Sequence, residues 1–252
     1  MDQRHHRIAR QQPVRWLWAR RRHLSELKSD LTYRTHIPAP RYRVLAVSDK
    51  VEPRLYGPTI TKVVGDVDFI LGCGDLPYYY LEYIVSMLNK PLYYVHGNHD
   101  RPEHRSNRQV VHEPPGGTNL HARLIYAHGL ILMGLEGSHR YNRNPRYQYT
   151  QAEMWSIILK MAPRLVTNRL LYGRHLDILV THSPPFGIHD AADRPHIGFK
   201  AFLAFMRWFK PRYLIHGHQH VYRQTEVTRS LYAQTEIINV YPWKILDLTF
   251  DR

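Results

Sequence analysis

The stretch Leu92-Tyr93-Tyr94-Val95-His96-Gly97-Asn98-His99-Asp100 starts apolar and ends in amide, imidazole and carboxylate. Its first residues read as a short buried strand, and the glycine lets the chain turn sharply into the polar cluster. The same arrangement occurs four more times along the chain. Arg43–Ser48 ends at Asp49, and Val67–Leu71 runs into Gly72-Cys73-Gly74-Asp75. Leu176–Val180 delivers Thr181-His182, and Tyr213–Ile215 delivers His216-Gly217-His218-Gln219-His220. Strand ends that feed loops along one sheet edge are where α/β proteins assemble their sites. Buried carboxylates and imidazoles are costly unless paired or metal-bound, so these ends predict one shared centre.

Helices are expected between the strands. Pro77 suits the first turn of a helix whose buried face is Leu81, Ile84, Val85 and Leu88. Thr150 and Glu153 have capping-box spacing ahead of Met154, Ile157, Ile158 and Met161. His196–Lys210 reads as a helix with Phe199, Phe202, Leu203, Met206 and Phe209 on one face, a stripe assigned to core. Strands are expected at Arg123–Ala127 and Leu130–Leu135, with His128-Gly129 as the turn, and later near Glu236–Val240 and Lys244–Phe250. Residues 101–121 and Gly137–Tyr149 read as loops.

The donor set is oxygen and nitrogen without thiolate. Such ligands suit Mn, Fe, Zn or Ni held for chemistry rather than a structural zinc. In order, Asp49, Gly74-Asp75, Gly97-Asn98-His99-Asp100, His182 and Gly217-His218-Gln219-His220 resemble the motif set of the calcineurin-like metallophosphoesterase superfamily. Thr181-His182-Ser183-Pro184-Pro185 and Ile238-Asn239-Val240 look like its bacterial members. The resemblance covers roughly residues 43–250 and implies a sandwich of two β-sheets flanked by helices (α/β/β/α). It implies two divalent metal ions, with Asp75 between them. Asp49 and His220 would hold one ion, and Asn98, His182 and His218 the other. His99 would serve the scissile phosphate as general acid or transition-state stabiliser, and Asp100 would orient His99. The implied activity is hydrolysis of a phosphomonoester or phosphodiester by hydroxide generated between the ions.

One position departs from the pattern. The family usually has Asp-x-His first, and here Asp49-Lys50-Val51 stands in its place. Glu52, one residue further, is a candidate substitute ligand. A binding scaffold with a weakened metal site is therefore the competing reading. Arg140 and Arg143, with His139 and Arg146 beside them, are candidate contacts for substrate phosphate. His189, Asp190, Asp193 and His196 follow His182 closely and are candidates for the pocket wall. His96 and His216 are expected to hydrogen-bond behind the ligands.

The net charge is +14, unevenly spread. Residues 1–43 hold 11 Lys/Arg against 3 Asp/Glu, a net +8 that leaves +6 for the rest. Residues 1–40 are read as a basic extension and 41–252 as the phosphoesterase domain. Within the arm, Val14–Leu31 is a candidate helix carrying Trp16, Leu17 and Trp18. A basic arm of this kind suits contact with a membrane surface or nucleic acid. No apolar run reaches the roughly 18 residues of a membrane span, and no secretory signal is read. With Cys73 alone there is no internal disulfide, and the expectation is a cytoplasmic, or membrane-peripheral, protein.

Overall fold

The computed structural model describes residues 39–250, except residues 107, 144, 145 and 224. The helix expected over Val14–Leu31 lies outside the described residues.

Alternation along the strands builds the layers. In β1 (Arg41–Val47), Val44 and Ala46 belong to one buried cluster and Leu45 and Val47 to another. A strand apolar on both faces must be covered on both. β1 pairs in parallel with β2 (Phe69–Gly72), β2 with β3 (Leu92–Tyr94), and β3 with β6 (Gly117–Asn119). Antiparallel β15 (Trp243–Thr249) closes the other edge of this five-stranded sheet. The second sheet has six strands, in the order β13 (Arg229–Tyr232), β14 (Thr235–Asn239), β12 (Tyr213–His216), β11 (Ile178–Thr181), β8 (Leu130–Leu135), β7 (Leu124–Ala127). Its inner four are parallel, and β13 and β7 are antiparallel edges. His128 and Gly129, both at positive φ, form the tight turn between β7 and β8. Two short pairs lie outside the sheets: β4 (Glu103–His104) with β5 (Val110–Val111), and β9 (Ser138–His139) with β10 (Gln148–Tyr149).

The sheets face each other across a core that includes Phe69, Leu71, Leu132, Val180 and Ile215. Helices α1 (Ile60–Val64) and α2 (Tyr78–Leu88) cover the outer face of the first sheet, with Ile60, Val64, Tyr80, Leu81 and Ile84 buried against it. Helices α3 (Gln151–Tyr172) and α4 (Lys200–Phe209) cover the second. The Thr150–Glu153 capping box is present in full at the start of α3 and is worth about 1 kcal/mol. From α4, Phe202, Phe205, Met206 and Phe209 are buried against the sheet, each contributing roughly 1.5–3 kcal/mol. The aromatic stripe is core, and the architecture is the expected α/β/β/α sandwich.

Some details differ from expectation. Residues 101–121 contribute β6 to the first sheet, although Gly117-Thr118-Asn119 has no apolar run to announce a strand. β13 likewise had no signal, because its Arg229–Tyr232 pattern is that of a half-exposed edge. Helix α4 starts at Lys200 rather than His196, because Phe199 bridges back to Pro185 and His196 and Ile197 turn onto the Asp193 carbonyl.

Candidate metal centre

The C-terminal ends of β1, β2, β3, β11 and β12 lie along one edge of the sandwich, and the polar residues that follow them meet there. One potential ligand atom each from Asp49, Asp75, His182 and His218 lies within 4.8 Å of the others. Asp49, Asp75 and His218 all have left-handed backbone, with φ of 62°, 57° and 64°. That conformation is uncommon for residues bearing a Cβ and tends to persist where a site requires it. The nearby glycines serve a different need. A Cβ at Gly97 would stand 2.5 Å from both Cγ and the backbone nitrogen of Asp75. A Cβ at Gly217 would overlap the Ser48 hydroxyl and stand 2.6 Å from Asp49 Oδ2. The absent side chains are the room into which the Asp75 carboxylate, and the Asp49 carboxylate with its Ser48 partner, fit.

Hydrogen bonds set the imidazoles. His182 Nδ1 lies 2.7 Å from the Cys73 carbonyl and must donate to it. Its Nε2 then faces two oxygens, Asn98 Oδ1 at 3.0 Å and Asp75 Oδ2 at 3.3 Å. A neutral ring with its proton on Nδ1 has nothing to give them, so a positive charge is required at this point. Asn98 is held in that orientation by its Nδ2, which donates to the Tyr141 hydroxyl at 3.1 Å. His218 Nε2 donates to the Pro195 carbonyl at 2.9 Å, so the lone pair of the neutral ring is on Nδ1. His220 Nε2 stands 3.8 Å from Asp49 Oδ1. Its ring stacks on Tyr241 at 4.4 Å, and its Nδ1 meets the Tyr222 hydroxyl at 2.9 Å. Asp49 Oδ2 accepts from the His218 amide at 2.8 Å and from the Ser48 hydroxyl.

The charges answer the same need. Burial pushes the Asp49 carboxyl up to about 6, with the Asp75 charge adding to it. Burial also opposes ionisation of Asp75, but His182 and the His99 amide outweigh it and hold Asp75 at about 2. At His182 burial opposes the charge, while Asp75 and Asp49 overcome it and raise the ring to about 9. Burial lowers His218 well below its usual range. A proton on His182 thus neutralises a buried carboxylate pair, a task that a divalent cation performs among these same atoms. The donor set and the two oxygens facing His182 Nε2 both fit such an ion.

His99 is exposed, and its amide donates to Asp75 Oδ1 at 2.7 Å. It borders a cleft of about 320 Å³ together with Leu76, Pro77, Arg101 and Glu103. Asp100 is buried and accepts from the amides of Gly97 at 2.9 Å and Leu76 at 3.1 Å. It also lies 3.5 Å from His96, so its contacts brace the loop carrying Asn98 and His99. Glu52 accepts from Arg54 at the start of a 3-10 turn. Val51, where the family's histidine is expected, packs against the apolar cluster under the first sheet. Arg140 reaches both carboxylate oxygens of Glu153 at 2.8 Å, and Arg143 is exposed. His189 bridges His216 Nε2 at 3.0 Å and Ser230 at 2.9 Å, behind the ligands. His196 lies 4.9 Å from His218, ring to ring. Sequence reasoning missed Ser48, Tyr141, Tyr222, Tyr241 and Arg101. The first is a lone serine inside a strand signal, and the others lie in loops with no spacing to mark them.

The fold is an α/β/β/α sandwich, and the cluster at its edge is a group of side chains that could hold a metal ion. The chain belongs to the calcineurin-like phosphoesterase family, whose model matches residues 35–222. No curated protein matches it in sequence. Among solved structures, one crystal structure aligns over 82% of this chain and 95% of its own, with TM-score 0.55 and 14% identity. That of TT1561 from Thermus thermophilus aligns over 79% of this chain and 89% of its own, with TM-score 0.54 and 14% identity. At such identities the likeness is one of fold. Among the described residues no helix is long and apolar enough to cross a membrane.

Proposed function

We propose that this protein is a metal-dependent phosphoric ester hydrolase acting on a phosphomonoester or phosphodiester. The observation that carries the reading is the convergence of Asp49, Asp75, His182 and His218 within 4.8 Å, with acceptor oxygens facing His182 Nε2. Two divalent ions held by Asp49, Asp75, Asn98, His182, His218 and His220 would neutralise phosphoryl charge and supply a nucleophilic hydroxide near neutral pH. The residues around them have their own tasks. Asp75 contributes one oxygen beside His182, while its other is held by the His99 amide. His99, exposed on the rim, holds a proton for the leaving oxygen. Arg101 in the same cleft supplies a fixed positive charge for the phosphate. Asp100 keeps the Gly97–His99 turn rigid, so the proton donor and the Asn98 ligand move together.

The test is metal content by mass spectrometry after Mn(II) reconstitution, with hydrolysis of mono- and bis-nitrophenyl phosphate. Asn98→Ala and His182→Ala are expected to lose metal and turnover together. Full metal-dependent turnover in both variants would refute the proposal. A second reading, a binding scaffold, is favoured by one observation: Val51 serves the core where a ligand is expected. One metal per chain or none, with no turnover in any metal, supports that reading instead.

A further inference from the structure

The outer face of α3 carries apolar side chains that the fold leaves uncovered. Leu159, Val166 and Leu170 form one stripe with Pro163, at spacings of three or four residues, and are 55%, 48% and 80% exposed. The helix's buried face is separate, formed by Met154, Ile158, Met161 and Leu165. Exposed Lys160, Arg164 and Arg169 flank the stripe, and among the described residues none of them is ion-paired. The single acid of α3, Glu153, sits at the opposite end and is held by Arg140. Neighbouring α4 has no acid and presents Arg207 and half-exposed Trp208. An apolar stripe between cations, with no free carboxylate, is complementary to anionic headgroups above acyl chains.

We propose that the outer face of α3 docks on an anionic phospholipid surface. A second copy of the chain fits less well, because seated on this face it would bring its cations against these. The helix runs away from the strand ends that carry the ligands, because it closes at Gly173, just before β11 begins. Docking through its far half therefore leaves the metal centre open to solvent.

The test is co-sedimentation of the full chain with vesicles of phosphatidylcholine alone or mixed with phosphatidylglycerol, at low and high salt. Binding is expected only with phosphatidylglycerol and should weaken with salt. The double variant Leu159→Glu/Leu170→Glu should abolish it. Lys160→Glu/Arg164→Glu should lower partitioning by roughly fivefold or more per charge. Both should keep the wild-type urea midpoint, since the side chains are exposed. Binding left unchanged by both variants overturns the proposal and assigns any lipid affinity to other parts of the chain. A wild-type dimer that Leu170→Glu turns into a monomer, without vesicle binding, also overturns it, because the face is then a subunit interface.

Discussion

Gly97→Ala tests whether the metal centre depends on the empty space beside Asp75. The added Cβ would lie 2.5 Å from Asp75 Cγ and from its backbone nitrogen, whereas ordinary contact begins near 3.4 Å. Relief requires a shift of nearly 1 Å. Rotating the Asp75 side chain does not provide it, because one of the clashing atoms is backbone. The shift must displace the Asp75 carboxylate, the His99 amide bound to it, or both. Overpacking of this kind costs about 1–3 kcal/mol of stability. A misplacement near 1 Å among reacting groups costs on the order of 10²-fold in rate. The assay is metal per chain after Mn(II) reconstitution, the urea midpoint, and turnover of bis-nitrophenyl phosphate. Gly173→Ala is the control: its Cβ meets nothing within 4 Å, but its φ of +74° is left-handed. It should cost about 1–2 kcal/mol and leave metal content unchanged. If Gly97→Ala keeps full metal and turnover, the space beside Asp75 is not what positions the centre, and the reasoning fails.

Four further outcomes are expected. His99→Ala should retain metal but lower kcat by roughly 10²–10⁴-fold; loss of metal instead would show that His99 acts on the ligands. Tyr141→Phe should free the Asn98 amide to rotate and weaken Mn(II) binding by about 10- to 100-fold, read by titration, while unchanged affinity would remove Tyr141 from the centre. In chelator-treated protein, His182 has a pKa raised from 6.5 to about 9, so its stabilisation is complete below 6.5 and lost as pH rises through 9. That loss is on the order of 3 kcal/mol; His182→Gln should flatten this limb in urea titrations at stepped pH, and an unchanged limb would assign it to another group. Phe205→Ala, deep under α4, should cost about 3–5 kcal/mol with metal per folded chain preserved, and a midpoint within about 1 kcal/mol of wild type would contradict its packing.

The strands that deliver the candidate ligands were legible because each is a short apolar run broken by glycine and polar residues. Arg41–Val47, Phe69–Gly72 and Tyr213–His216 fall within two residues of where the sequence places them. The cap at Thr150 was legible because it is a local interaction, complete within four residues. β6 and β13 were not, because Gly117-Thr118-Asn119 and Arg229–Tyr232 become strands only through their neighbours' hydrogen bonds. Glycine was read as the residue that turns the chain. In the structure Asp49, Asp75 and His218 adopt the left-handed backbone themselves, while Gly97 and Gly217 leave room for carboxylates arriving from elsewhere. That room is a relation between distant segments, and a one-dimensional pattern does not contain it.

By itself, then, the sequence determined the strand ends and the residue types brought to them, since periodicity and side-chain chemistry are local properties, while the layer order followed from the resemblance those motifs carry. Only the tertiary structure decided which atoms meet. It set His182 Nε2 against Asn98 and Asp75, fixed that ring through the Cys73 carbonyl, and brought Tyr141 to Asn98. It also committed Val51 to the core and Arg140 to the start of α3. Hydrogen-bond direction and close packing depend on distances between residues dozens of positions apart, and folding alone fixes those distances.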